Sequence, residues 1–245
     1  MKVMAQLRAL SRELGDLVLP LTCAGCGDYG VDLCDNCWLQ WQAGAMRAED
    51  QVPAFGGQSR LPLWAAATYD GAVRQAIVGI KDRGRGDVLN LISAAALRLA
   101  ERLGPAVREA LSRGHPQLGI VPVPPRTPAW LGRREVELPT YLADRMAQFL
   151  RPRAVNCEVA PVLRHHRWTR DQVGLGRAAR LQNRSGTMRL RSRATAVSGK
   201  PLLVVDDVAT TGATMREAVR ELTRTGGVVI GAAVIAVTPL RNPAA

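Results

Sequence analysis

Apolar positions along the chain change period from segment to segment, and that period predicts the elements. Val3, Leu7, Leu10, Leu14 and Leu17 recur at helical spacing, so an amphipathic helix is expected over 3–18, ended by Pro20. Its use is expected to be packing on the neighbouring module, with a membrane-surface helix as the other option. Residues 63–69 read as a strand, and 71–80 as a helix with Val73, Ile77 and Ile80 inward. Asp87 is placed to cap a long helix running to Leu103, with a shorter helix over 105–112. Strand 118–123, helix 137–150 and strand 154–163 add another βαβ step, and 228–238 closes the core. Strands alternating with helices predict an α/β fold with a central, mostly parallel sheet.

One stretch departs from amphipathic patterning. Leu202, Leu203, Val204 and Val205 are consecutively apolar, as in a strand buried on both faces. Two carboxylates, Asp206 and Asp207, end that strand. A turn follows at Thr210, Thr211, Gly212, Ala213 and Thr214, then a helix with Met215, Val219 and Leu222 on one face. Unpaired amides and hydroxyls at a helix N-terminus attract an anion. Carboxylates beside a phosphate would repel it, so they must hold something else, such as sugar hydroxyls or a divalent cation. A ribose 5-phosphate carrying pyrophosphate satisfies both. The plain alternative is a βα turn whose threonines cap the helix and whose aspartates face water. The spacing is neither that of a P-loop nor that of a dinucleotide fold.

Cysteines supply a second chemistry. Cys23 and Cys26 form one Cys-x-x-Cys, Cys34 and Cys37 another, with seven residues between the pairs. Two thiolate knuckles facing each other build a tetrahedral four-sulfur site, which favours zinc over a redox dithiol or disulfides. All four positions would be filled by sulfur, so the metal would be structural. Cys157 has no partner of this kind and reads as a buried apolar residue. Gly, Ala, Gln and Pro crowd 42–62, which reads as a linker between residues 1–41 and a main domain over 63–240.

Composition adjusts this picture in two ways. The chain of 245 residues carries 33 basic and 21 acidic side chains, a formal charge of +12, which suits a polyanionic partner or a solvated basic surface. Charged residues interrupt the N-terminal apolar pattern, and no run is long enough to span a bilayer, so a soluble, cytosolic protein is expected. Three further stretches concentrate charge. Lys81 and Arg83 lie in a glycine-punctuated basic loop that could approach a phosphate, or simply form a solvated turn. A stiff turn at Pro122, Pro124 and Pro125, near Arg126, Arg133 and Arg134, could present amides to an anion. Residues 164–183 are basic, glycine-punctuated and poor in apolar periodicity, and read as a mobile lid over a charged ligand. His165 and His166 in it read as solvated loop residues.

Taken together, these motifs resemble the ComF family of competence-associated proteins, within the type I phosphoribosyltransferases. The resemblance covers the leading helix, the four-cysteine knuckle, Tyr69-Asp70-Gly71 with Lys81, Arg83 and Gly84, the Pro-Val-Pro turn, the lid and 202–214. In the lid, Thr169, Gln172, Gly174, Leu175, Arg177, Arg180 and Asn183 match the family pattern. The resemblance implies a phosphoribosyltransferase-like core behind a small zinc-ribbon-like module, and a phosphoribosyl pyrophosphate (PRPP) site. It implies that Asp206 and Asp207 hold the ribose hydroxyls, one of them near the reacting C1, and that Thr210, Thr211, Gly212, Ala213 and Thr214 cradle the 5-phosphate. Lys81 and Arg83 would face the pyrophosphate, with Mg²⁺ accompanying PRPP. It also implies a link to DNA uptake, with single-stranded DNA and DNA-uptake proteins as partners. The chain departs from the family after the proline turn. Pro125-Arg126 stand where Leu-His is usual, and Arg134-Glu135-Val136-Glu137-Leu138 replace Arg-Gly-Phe-Asn-Gln. Two glutamates thus bring negative charge towards the expected pyrophosphate.

Overall fold

The computed structural model describes residues 21–42, 44–55, 61–114, 117–125, 136–165, 187–191 and 197–239. The expected helix over 3–18, the arginines at 126, 133 and 134, and His166 with the rest of the lid to 183 lie outside these residues. In chain order the elements are α1 (Asp35–Trp41), β1 (Met46–Arg47), β2 (Leu63–Thr68), α2 (Gly71–Arg83), α3 (Leu89–Ser112), β3 (Leu118–Pro122), α4 (Leu138–Leu150), β4 (Cys157–Val159), β5 (Leu163–His165), β6 (Met188–Leu190), β7 (Pro201–Ala209), α5 (Ala213–Arg224) and β8 (Val228–Val237).

Six strands form one sheet in the order β1-β2-β8-β7-β3-β4, parallel except for the β1–β2 edge. Strand side chains alternate across that sheet, and both faces are covered. Leu203 and Val205 face a core built with Ile77 of α2, Leu99 of α3 and Met146 of α4. Leu202 and Val204 face a second core with Met215 and Leu222 of α5 and with Leu163 and Met188 of the β5–β6 hairpin. This explains the unbroken apolar run at 202–205: β7 lies between β8 and β3 and has no solvent face. The expected α/β class, a mostly parallel sheet flanked by helices, is what the chain forms.

Local readings differ in three places. The stretch 42–62 is not all open chain: β1 pairs with β2, and Val52 and Phe55 are buried in the second core. Helix α3 does not end at Leu103 but runs through Pro105 to Ser112, because Leu103, Gly104 and Val107 are buried on one face and keep the two halves in line. Asp87 does not cap it. Its carboxylate instead takes Nε and Nη2 of Arg85 at 2.9 and 2.6 Å, which holds its pKa below the usual carboxylate range.

Candidate functional site

The parallel sheet fixes where chemistry can sit. From β3 the chain moves outward to β4, and it returns on the opposite side of β3 to form β7 and then β8. A doubly wound sheet opens a crevice where its winding reverses, beyond the carboxyl ends of the strands. For this sheet that place lies between β3 and β7. Asp206 and Asp207 stand near the carboxyl end of β7, the first 9% exposed and the second partly open. The backbone N–H of Asp207 donates to Asp206 Oδ1 at 2.8 Å, which fixes the first carboxylate against the strand.

Residues 210–212 carry the chain from β7 into α5. Thr210 and Thr211 are exposed, Gly212 is buried, and Ala213 and Thr214 open the helix half-buried. Gly212 occupies the position before the helix with φ +72°, a conformation that favours glycine. Its surroundings demand glycine a second time. A Cβ there would collide with Val52 Cγ1 and come within 3.0 Å of Ala54 and 3.1 Å of Phe55. The loop thus rests on 52–55, and the Ala54 N–H donates to the Thr211 carbonyl at 3.2 Å. Thr211 Oγ1 accepts from the Ala213 N–H at 3.4 Å. Supported in this way, the first amides of α5 and the loop hydroxyls form a fixed anion-attracting end.

Lys81 completes the arrangement from α2. It lies in the last turn of α2, and its Nζ is 2.5 Å from Asp207 Oδ2. One of the two carboxylates therefore carries its own cation, which reduces the repulsion that a bound phosphate would meet. Arg83, in the same turn, is exposed. Thr169, Gln172, Gly174, Leu175 and Arg177 fall outside the described residues. Beyond the carboxyl end of β3 a cavity of about 320 Å³ is lined by Pro124, Pro125, Glu137, Arg164 and His165 among others. His165, expected as a solvated loop residue, instead belongs to β5, with Nε2 3.0 Å from the Pro124 carbonyl oxygen. That contact spans 41 residues of sequence, and no local pattern announces it.

The helix that carries the anion-attracting loop also holds the hairpin. Glu217 and Glu221 are buried on α5. Their carboxylates accept the outward N–H groups of β6, Met188 N at 3.4 Å and Leu190 N at 3.3 Å. Arg220 and Arg224 neutralise them from the solvent side at 2.9 and 2.8 Å. The pairing with Arg224 holds Glu221 below the usual carboxylate range, against the effect of burial. One faint signal of this is present in the chain, two glutamates four apart, each followed three positions later by an arginine.

Four sulfurs meet in the segment ahead of β2. The ligand atoms of Cys23, Cys26, Cys34 and Cys37 all lie within 4.8 Å of one another. Cys34 Sγ is 3.7 Å from both Cys23 Sγ and Cys26 Sγ. A tetrahedral zinc with bonds of ~2.3 Å needs sulfurs ~3.8 Å apart, so the donor set fits. Burial opposes ionisation of Cys23, but amide donors, among them the N–H groups of Gly25 and Cys34 at 3.4 Å, bring its pKa down to about 6. Burial pushes the Cys37 thiol up. A metal would bind the set as thiolates and fix the two knuckles to each other. Cys157 is buried, as expected, with burial raising its pKa.

Comparison with known proteins adds to this geometry. Residues 141–244 match the family model described as phosphoribosyl transferase domain. The match takes in β4 to β8 with α5, hence Asp206, Asp207 and the loop, while Lys81 and the four clustered cysteines precede it. No curated protein matches the chain. Among solved structures, one described as the allosteric regulatory enzyme of purine biosynthesis is 18% identical with a TM-score of 0.32, covering 59% of this chain and 26% of its own. The chain therefore spans about a quarter of that protein's length. TT1426 from Thermus thermophilus is 14% identical with a TM-score of 0.30, covering 61% of this chain and 86% of its own. Among the described residues no helix is long and apolar enough to cross a membrane. The chain thus carries, over residues 141–244, a match to a phosphoribosyl transferase domain, on a mostly parallel sheet flanked by helices, with a four-cysteine cluster ahead of it.

Proposed function

We propose that the site at the end of β7 binds PRPP together with Mg²⁺ and that the chain transfers its phosphoribosyl group. One observation carries the reading: two carboxylates and an anion-attracting helix end lie within a single turn of backbone, at the reversal point of a doubly wound sheet. Asp206 and Asp207 hold the ribose hydroxyls, and residues 210–214 take the 5-phosphate through amides and threonine hydroxyls. Lys81 and Arg83 provide cations for the pyrophosphate. The bond from C1 to pyrophosphate breaks through an oxocarbenium-like state, so these residues act chiefly by stabilising separated charge and holding the sugar in place. Mg²⁺ would neutralise the departing pyrophosphate. Thr169, Gln172, Gly174, Leu175 and Arg177 keep the lid role implied by the family pattern. Within this superfamily the assignment is to the ComF branch, supported by the four-cysteine module and the lid pattern, and the described cysteines, free of disulfides, suit a cytoplasmic setting.

Calorimetry with PRPP and Mg²⁺ tests the reading on wild type and on an Asp206→Ala/Asp207→Ala variant. Heat in the wild type that is lost in the variant is expected; no heat in either would refute ligand binding.

A second reading is favoured by the +12 charge and the cysteine module: a partner in DNA uptake that contacts single strands, with the PRPP site kept as sensor or scaffold. Labelled single strands titrated at two salt concentrations decide it. Binding no tighter than to an unrelated basic protein counts against it.

A further inference from the structure

The four-cysteine module grips one helix of the main domain at both ends. At the N-terminal end of α2, Gln40 Oε1 accepts the Ala72 N–H at 2.8 Å, beside the bond from the Gly71 N–H to Asp70 Oδ1 at 2.8 Å. Ala72 is itself buried in one cluster with Cys23 and Cys37. The approach is close enough that Gly25 could not carry a Cβ, which would lie 2.5 Å from Cys37 Sγ and 2.7 Å from Ala72 Cβ. Gly71, at φ +46°, likewise leaves room that Gln40 fills. Beyond the C-terminal end, Arg85 turns back and donates from Nη2 to the Thr22 carbonyl at 2.8 Å, one residue before the first cysteine. Asp87 holds the guanidinium in that orientation.

Between those two grips lies Lys81. It is nine residues from Ala72, or about 14 Å along a helix, and it ends on Asp207. A proline-free helix of this length passes a shift at one end on to the other, because a sharp kink would need a break or an insertion in its hydrogen-bond ladder. We infer that the cysteine module is a positioning device for the carboxylate site, and that Gln40 is the positioning residue through which it sets Lys81 against Asp207. The inference rests on the PRPP reading only where ligand affinity is concerned; the placing of Lys81 stands without it.

The test uses the full, zinc-loaded chain and leaves all four cysteines in place. Gln40→Ala removes the acceptor at α2, and Gln40→Glu retains one. The chain has three lysines, Lys2, Lys81 and Lys200, so labelling with an amine-reactive ester can be followed at Lys81 by mass spectrometry. Lys81 is expected to label about fivefold faster in Gln40→Ala, the factor one hydrogen bond is worth, and at the wild-type rate in Gln40→Glu. The dissociation constant for PRPP is expected to rise by about the same factor in Gln40→Ala and to recover in Gln40→Glu. On a Lys81→Met background Gln40→Ala should add nothing, since the two act on one contact. An unchanged labelling rate in Gln40→Ala overturns the inference, as does an equal loss of affinity with and without Lys81. Absence of PRPP heat in the wild type would sink the function proposed above and leave the labelling rates to decide this one.

Discussion

Replacing Gly212 with alanine separates two demands that the loop before α5 makes on that residue. The backbone sits at φ +72°, where an L-residue pays for the contact of its Cβ with the following carbonyl, about 1–2 kcal/mol. The new methyl also enters a filled space, against Val52, Ala54 and Phe55. Forcing a methyl into such packing costs about 1–3 kcal/mol more, for a total of about 2–5 kcal/mol. Gly84 provides the internal control. It ends α2 at φ +66°, and a Cβ built there meets nothing within 4 Å. Gly84→Ala should therefore cost only the backbone term, about 1–2 kcal/mol. Guanidinium denaturation of both variants at pH 7, with midpoints compared at equal slope, reads the difference directly. Equal losses in the two variants would refute the claim that 52–55 supports the loop. A Gly212→Ala protein as stable as wild type would refute the backbone argument as well.

Two further outcomes follow from the buried acids and the sulfurs. Glu221 is held below its unfolded pKa, so it contributes stability above about pH 4 and loses that contribution as pH falls through its folded value. Glu221→Gln should cost about 1–3 kcal/mol at pH 7, and denaturation repeated at about pH 3 should show the gap closing as the wild-type carboxylate takes up its proton; a gap constant with pH would contradict the ionised pairing with Arg224. Elemental analysis of purified protein should give about one zinc per chain, and a Cys34→Ser variant with undiminished zinc would refute four-sulfur ligation.

Legibility in the sequence followed the reach of the forces involved. Strand β7 was readable because its position at the sheet centre imposes the same demand on every residue from Leu202 to Val205. The cysteine cluster was readable because each knuckle is local, and pairing two of them needs only a short loop. Segment 42–62 read as linker because two anchors, Val52 and Phe55, are too few to show a period, and their burial depends on a loop about 160 residues away. Glu217 and Glu221 escaped for a related reason. A carboxylate on a helix is read as solvent-facing, and only the β6 edge, brought in by tertiary folding, turns it inward. Lys81 was picked out by its basic neighbourhood, yet its partner Asp207 could not be read from 126 residues away.

The clasp of β6 by α5 also carries an expectation for folding. Strand β6 has three residues and, among the described residues, a single strand partner, β5, so the hairpin is marginal by itself. Among the described residues its outward amides find their acceptors on α5, a helix that follows them in the chain and packs on β7 and β8. The hairpin is therefore expected to join after the β7–α5–β8 unit has formed and to come away before it. Amide exchange at Met188 and Leu190 accordingly reports opening of a subglobal unit, at a lower free energy than exchange from the interior of β7.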